Sequence, residues 1–306
     1  MTVSTPMTAR LAPPPLHCRS FGDPAAEPVL LVHGMGSTGA DWAFQIEPLA
    51  ARFRVLVPDL PGAGASPMPA RHAIADYATQ LIALLDALAI ERTHCVGFSM
   101  GGAVGLELAL QAPARVLRLA TINSLPSYRP DTLRKRLELH GQLNLVRLLG
   151  LRRSAVLVAR RLFPHPHQQA MRERVQVVLA AYPKPVYLGQ AHALAGWCAR
   201  TRLSGFATPM LMLAAEHDYT PLAEKQAWAQ RLGAELRVVR GSRHGTPFDA
   251  ITATNSALLH FLLGDAVPEQ LALDAPEHAP TAPPEVLAAL ESVSAPRCGP
   301  GVLQDT

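Results

Sequence analysis

Several functional classes are argued against by what the sequence lacks. Only 17% of its 306 residues are charged and the formal net charge is +4, with no signature of an RNA- or DNA-reading module, so a nucleic-acid partner is not expected. Lysine is nearly missing: Lys135, Lys184 and Lys225 are the only three, and arginine supplies the remaining positive charge. The four cysteines, Cys18, Cys95, Cys198 and Cys298, lie far apart, with no C-x-x-C pair and no zinc-ligand spacing, so neither a metal site nor a disulfide framework is expected. The first fifteen residues have no apolar core of the kind a secretory signal needs, and no run reaches the ~20 apolar residues that span a bilayer. The expectation is a cytoplasmic protein without stable membrane insertion.

What is present is a globular composition, 49% hydrophobic, in which short apolar runs alternate with longer helical patterns. Strands are predicted over Pro28–His33, Arg54–Pro58, Thr93–Phe98, Val116–Ile122, Pro209–Ala214 and Glu235–Val239. Aliphatic runs such as Val29 to Val32 suit strands covered on both faces. Ile74–Ile90 places Ile74, Tyr77, Ala78, Leu81, Leu84, Leu85 and Leu88 on one helical face, and Gly101–Leu110 and Ala223–Leu232 are also predicted helical. The pattern predicts an α/β fold, a mostly parallel central sheet flanked by helices. It breaks from 127 to 203, where helices follow one another without a strand. The expected division is a flexible N-terminus (1–14), a core (15–126 and 204–264), a helical insertion (127–203) and a proline-rich acidic tail expected to be disordered (265–306), with one short helix over Glu285–Val293.

Two glycine motifs compete for the chemistry. Gly34-Met-Gly36-Ser-Thr-Gly39 fits the dinucleotide fingerprint, and Asp59, twenty residues after Gly39, stands where a ribose-binding carboxylate belongs. Taken alone it suggests an NAD-dependent oxidoreductase. The second motif, Gly97-Phe98-Ser99-Met100-Gly101, is a G-x-S-x-G between a predicted strand and a predicted helix. A serine lifted out on such a turn needs flanking residues without Cβ atoms, and it meets the free N–H groups of the following helix. A serine nucleophile requires a base and an orienting acid, in the order Ser, acid, His. Asp218 follows the strand Pro209–Ala214, with Glu216 its nearest rival, and His244 follows the strand ending near Val239. All three sit at C-terminal strand ends, the ligand-binding edge of an open α/β sheet. His33 is read as ordering its loop, Cys95 as core, and His165-Pro-His167 as part of a surface loop.

This set of residues resembles the α/β-hydrolase superfamily, over roughly residues 15–263. His33-Gly34-Met35-Gly36 resembles that family's oxyanion loop, Asp59-Leu-Pro-Gly-Ala-Gly-Ala-Ser66 its D-x-P-G-x-G-x-S loop, and the inserted helices match the position of its cap. The resemblance implies a catalytic triad of Ser99, Asp218 and His244, oxyanion donors at the backbone N–H groups of Met35 and Met100, and no cofactor. A serine nucleophile separates the chain from the branches that use aspartate, and the similarity is greatest to carboxylesterases, lactonases and serine C–C hydrolases. The expected activity is cleavage of a small ester or lactone. An acyltransferase or C–C hydrolase with the same triad and, more remotely, a small-ligand receptor or the NAD enzyme stay as alternatives.

Charge is unevenly spread. Between 127 and 203, fourteen basic residues face three acidic ones, a net +11, while 265–306 carries seven acidic residues against Arg297 alone. Arginine stems lying over an apolar surface would account for the first; attraction of an anionic substrate or of an acidic membrane surface are the sharper readings. Phe163, Tyr182, Tyr187 and Trp197 are candidates for the walls of the pocket.

Overall fold

The computed structural model describes residues 16–275. The chain first lays down β1 (Cys18–Phe21), β2 (Pro28–Val32), α1 (Ala43–Ala50), β3 (Arg54–Pro58), α2 (Ile74–Ala87), β4 (Thr93–Phe98), α3 (Met100–Gln111) and β5 (Val116–Ile122). Three helices follow with no strand between them, α4 (Leu133–Leu162), α5 (Gln169–Ala181) and α6 (Lys184–Gly196). Alternation resumes with β6 (Met210–Ala215), α7 (Leu222–Leu232), β7 (Glu235–Arg240), α8 (Thr246–Asp249), α9 (Ile251–Leu263) and β8 (Leu271–Ala272).

The strands form one sheet in the order β1-β3-β2-β4-β5-β6-β7-β8. Only β1 runs antiparallel to its neighbour, so the expected mostly parallel sheet is what the chain forms. Successive side chains of a strand point to opposite faces, and β2 divides accordingly. Leu30 and Val32 pack with Tyr77, Leu81 and Val104 from α2 and α3, while Val29 and Leu31 pack with Ile46, Leu49, Leu258 and Phe261 from α1 and α9. Each such leucine contributes about 2 kcal/mol of transfer free energy. The six predicted strands recur within one residue at each end. The helix expected to Ile90 stops at Ala87, and Ala89 turns the chain with φ 53°.

The inserted helices are tied to the sheet at their base. Ser127 and Cys198 form an antiparallel bridge, and Ala199 N–H donates to the Pro126 carbonyl at 2.8 Å. Beneath them, buried Glu107 of α3 accepts from Trp197 Nε1 at 2.8 Å and from both ends of the Arg202 guanidinium at 2.8 and 2.6 Å. Burial alone would raise the Glu107 carboxyl; the hydrogen bonds of Arg202, Trp197 and Gln111 outweigh it and hold it below the ordinary value. Val146, Leu151, Ala155, Leu179, Tyr182, Val186 and Tyr187 form a small second core with Ala63. The long helix α4 is two segments joined at Gly150, whose φ of 75° and ψ of 168° only glycine adopts readily.

The tail expected from Asp265 does not begin there. β8 pairs in parallel with β7 through Val239–Leu271 and Arg240–Ala272. The Asp274 carboxylate accepts from the N–H groups of Ile251 and Thr252 at the start of α9. A carboxylate at a helix N-terminus meets unpaired donors and the positive end of the dipole, so this segment is part of the fold. The remainder of the tail, the helix expected over Glu285–Val293 and the N-terminal residues 1–15 lie outside the described residues. Among the described residues no helix is long and apolar enough to cross a membrane.

Candidate active site

Ser99 occupies the single residue between β4 and α3, with φ 53° and ψ −116°. A non-glycine residue at positive φ is strained and persists only where the surroundings hold it. Ser99 N–H donates to the Ile122 carbonyl at 2.9 Å, and its own carbonyl accepts from Gly102 N–H at 3.0 Å. The flanking glycines are steric necessities. A Cβ on Gly97 would lie 2.3 Å from the Gly101 carbonyl oxygen, and one on Gly101 would lie 2.0 Å from that of Val32. This close approach brings the loop after β2 against the first turn of α3. Among the described residues neither the Met35 nor the Met100 backbone N–H has an acceptor.

The structure brings the three predicted side chains together at the C-terminal edge of β4, β6 and β7. His244 Nε2 lies 2.9 Å from Ser99 Oγ, and His244 Nδ1 lies 2.8 Å from Asp218 Oδ1. An ionised carboxylate only accepts, so the proton sits on Nδ1 and the lone pair of Nε2 faces the serine. Glu216, the rival acid, points elsewhere: its carboxylate accepts from Gly241 N–H at 2.8 Å. Asp218 is fully buried, which by itself would raise its pKa. The charge and hydrogen bond of His244, then those of Lys225, outweigh burial and hold the carboxyl well below the ordinary range.

Three neighbours of this triad carried no role in the sequence reading. Lys225 Nζ is buried and pairs with Asp218 Oδ2; burial lowers its pKa against the pull of that carboxylate. It stands seven residues after Asp218, in the first turn of α7, a spacing with no signal of its own. Asn123, at φ 49° beyond β5, accepts from Ala215 N–H at 2.7 Å and donates to the His244 carbonyl at 2.8 Å, so it pins the end of β6 to the His244 loop. Tyr219 lies with its ring 4.0 Å from the His244 ring and its hydroxyl 2.6 Å from Nε2. Nε2 has one lone pair, so the Ser99 and Tyr219 hydroxyls cannot both donate to it at once.

The apparent dinucleotide site is consumed by structure. Asp59 Oδ1 accepts from Gly39 N–H at 2.8 Å and Oδ2 from Ala65 N–H at 3.1 Å, with His17 and Arg19 also on the carboxylate. His33 accepts from Leu60 N–H at Nε2 and donates to the Gly34 carbonyl from Nδ1, so it is neutral and orders the loop; burial lowers its pKa. Of the candidate wall residues, Tyr182 and Tyr187 sit over the Met35–Gly36 loop, where Gln190 Oε1 accepts from both Gly36 N–H and the Tyr182 hydroxyl. Phe163 packs on Gly245 and Phe248 beneath the base. Trp197 faces away, onto Glu107. Cys95 is buried in the core, and burial pushes its thiol up to about 12.

A family model described as alpha/beta hydrolase fold matches residues 27–250. A protein of Caulobacter vibrioides (strain NA1000 / CB15N), provisionally named carbamate hydrolase RutD, is 32% identical over 262 residues, 81% of this chain and 96% of that one. Among solved structures, a hydrolase from Pseudomonas aeruginosa PA01 is similar with a TM-score of 0.73 at 27% identity, over 80% of this chain and 93% of that one. The enol-lactonase from Burkholderia xenovorans LB400 gives 0.74 at 25% identity, over 81% and 96%.

Proposed function

The chain belongs to the α/β-hydrolase fold family, and from that premise we propose that it is a serine hydrolase cleaving a small carboxylic ester or lactone through an acyl-enzyme on Ser99. The observation that carries this reading is the relay of short contacts from Asp218 to His244 Nδ1 and from Nε2 to Ser99 Oγ. In this scheme His244 takes the Ser99 proton as Oγ attacks the carbonyl carbon, and the buried Asp218 stabilises the imidazolium that forms. The oxyanion is bound by the N–H groups of Met35 and Met100, fixed before the charge develops. His244 then protonates the leaving oxygen, and water, deprotonated by the same base, releases the acid. No step requires a cofactor. Helices α4–α6 serve as the cap that closes over the acyl site.

The enol-lactonase likeness supports a lactone carbonyl as one form of substrate. A carbamate, the bond in the Caulobacter relative's name, presents the same carbonyl to the same nucleophile. Labelling with a fluorophosphonate tests the reading. The adduct is expected on Ser99, it is lost in Ser99→Ala, and p-nitrophenyl esters are turned over by the native chain only. A folded protein that leaves Ser99 unmodified and hydrolyses none of a graded ester and lactone series overturns it. An added alcohol that receives the acyl group in preference to water moves the assignment to acyl transfer.

A further inference from the structure

A cleft of about 200 Å³ opens beside the base, lined by Arg161, His217, Asp218, Tyr219, Arg243 and His244. Its charges are unbalanced. Asp218 is already neutralised by Lys225 and bonded to His244. Arg161 and Arg243 make no ion pair with any described residue. The root of Arg243 is held rigidly. Its carbonyl accepts from Thr246 Oγ1 at 2.9 Å and its N–H donates to Asp249 Oδ2 at 3.3 Å. Arg161 comes from the inserted helix α4, with its guanidinium 5.1 Å above the centre of the Tyr219 ring.

Position gives the cleft a role. Resting on the serine-hydrolase reading, the leaving oxygen must reach His244 Nε2 to be protonated, and the Tyr219 hydroxyl now stands there. A leaving group that displaces this hydroxyl extends along the tyrosine ring toward the Arg161 guanidinium, with Arg243 in the wall of the same cleft. We propose that the cleft beside His244 is an anion subsite, in which Arg161 and Arg243 bind a carboxylate carried on the alcohol portion of the substrate. Of the broad positive charge of the insertion, one residue, Arg161 on α4, is thereby given a contact, and Arg243 joins it from the core loop that carries His244.

The test compares the acetyl esters of meta-hydroxybenzoate and meta-hydroxybenzamide, which differ in charge and little in shape. The ratio of their kcat/KM values is the readout, so a loss common to both esters cancels. The native ratio is expected to favour the carboxylate by about tenfold or more, and to shrink at high salt. Arg161→Gln and Arg243→Gln should each lower it about fivefold, and the pair together should bring it near one. Arg152→Gln, an exposed arginine of α4 outside the cleft, should leave it unchanged. A native ratio near one, or an equal drop in Arg152→Gln, overturns the subsite while ester turnover and Ser99 labelling stand. If neither ester is hydrolysed and Ser99 resists the phosphonate, it is the hydrolase reading that falls and the subsite with it.

Discussion

All six residues of β4 are buried, whereas of the thirty residues of α4 only six are. The strand is enclosed on both faces, so its composition is dictated at every position and the turn that follows it is pinned by backbone contacts. The helix touches the rest of the molecule along a narrow stripe. Leu133, Leu137, Leu148 and Leu157 stay exposed among its arginines. The comparison teaches where precision is needed. The contacts that join Asp218, His244 and Ser99 are held at the C-terminal edge of the sheet, while the insertion supplies a few contacts, Arg161 among them, from a frame anchored mainly at its base.

The most severe way to break this comparison is at the sheet edge. His244→Ala should lower kcat/KM for any accepted ester by about 10⁴-fold or more, measured by steady-state kinetics, with the unfolding midpoint little changed. A comparable loss from an exposed α4 arginine would erase the distinction between the two regions.

A second probe separates pH from fold. Asp249, beneath the base, is buried against Ser242 and the Arg243 N–H, and burial pushes its carboxyl up from 3.8 to about 6. A raised folded-state value means the folded chain holds this proton more tightly than the unfolded one. Stability from this group is therefore full below pH 3.8 and is lost as pH rises through about 6. Asp249→Asn removes that loss. Its stability relative to the native chain should climb by up to about 3 kcal/mol between pH 4 and pH 8 in urea titrations. A pH-independent difference would show that the carboxyl is not held protonated.

The smallest expected effect is at the anchor of the insertion. Glu107→Ala strips Trp197 and Arg202 of their shared acceptor and should destabilise by about 2–3 kcal/mol, less than a fully enclosed pair because Arg202 is half exposed. Urea unfolding measures it. Loss within experimental error would mean that the helices α4–α6 are held by their apolar underside alone.

The elements that were legible in the sequence share one property: their local pattern has a single physical solution. The run Val29 to Val32 is too apolar for any place but a covered strand, and Gly97 and Gly101 leave no alternative to a sharp turn around Ser99. The elements that were missed are those whose signal is weak or borrowed. β1 is a four-residue edge strand and β8 has two residues; neither has enough apolar periodicity to stand out. α1 carries Pro48 within it, and α9 opens on the β-branched residues Ile251 and Thr252. Asp274 looked like one more acid in a proline-rich segment until the start of α9 was found beside it.

The sequence by itself determined the six inner strands, the serine turn, and that a carboxylate and a histidine stand at strand ends, because each depends on residues adjacent in the chain. It also set the arginine excess of the insertion, a matter of composition. Only the tertiary structure decided that Lys225 shares Asp218 with His244, that Tyr219 stands at Nε2, and that two arginines 82 positions apart in numbering, Arg161 and Arg243, face one cleft. Those pairings depend on how separate elements pack, and no spacing along the chain encodes a distance across it.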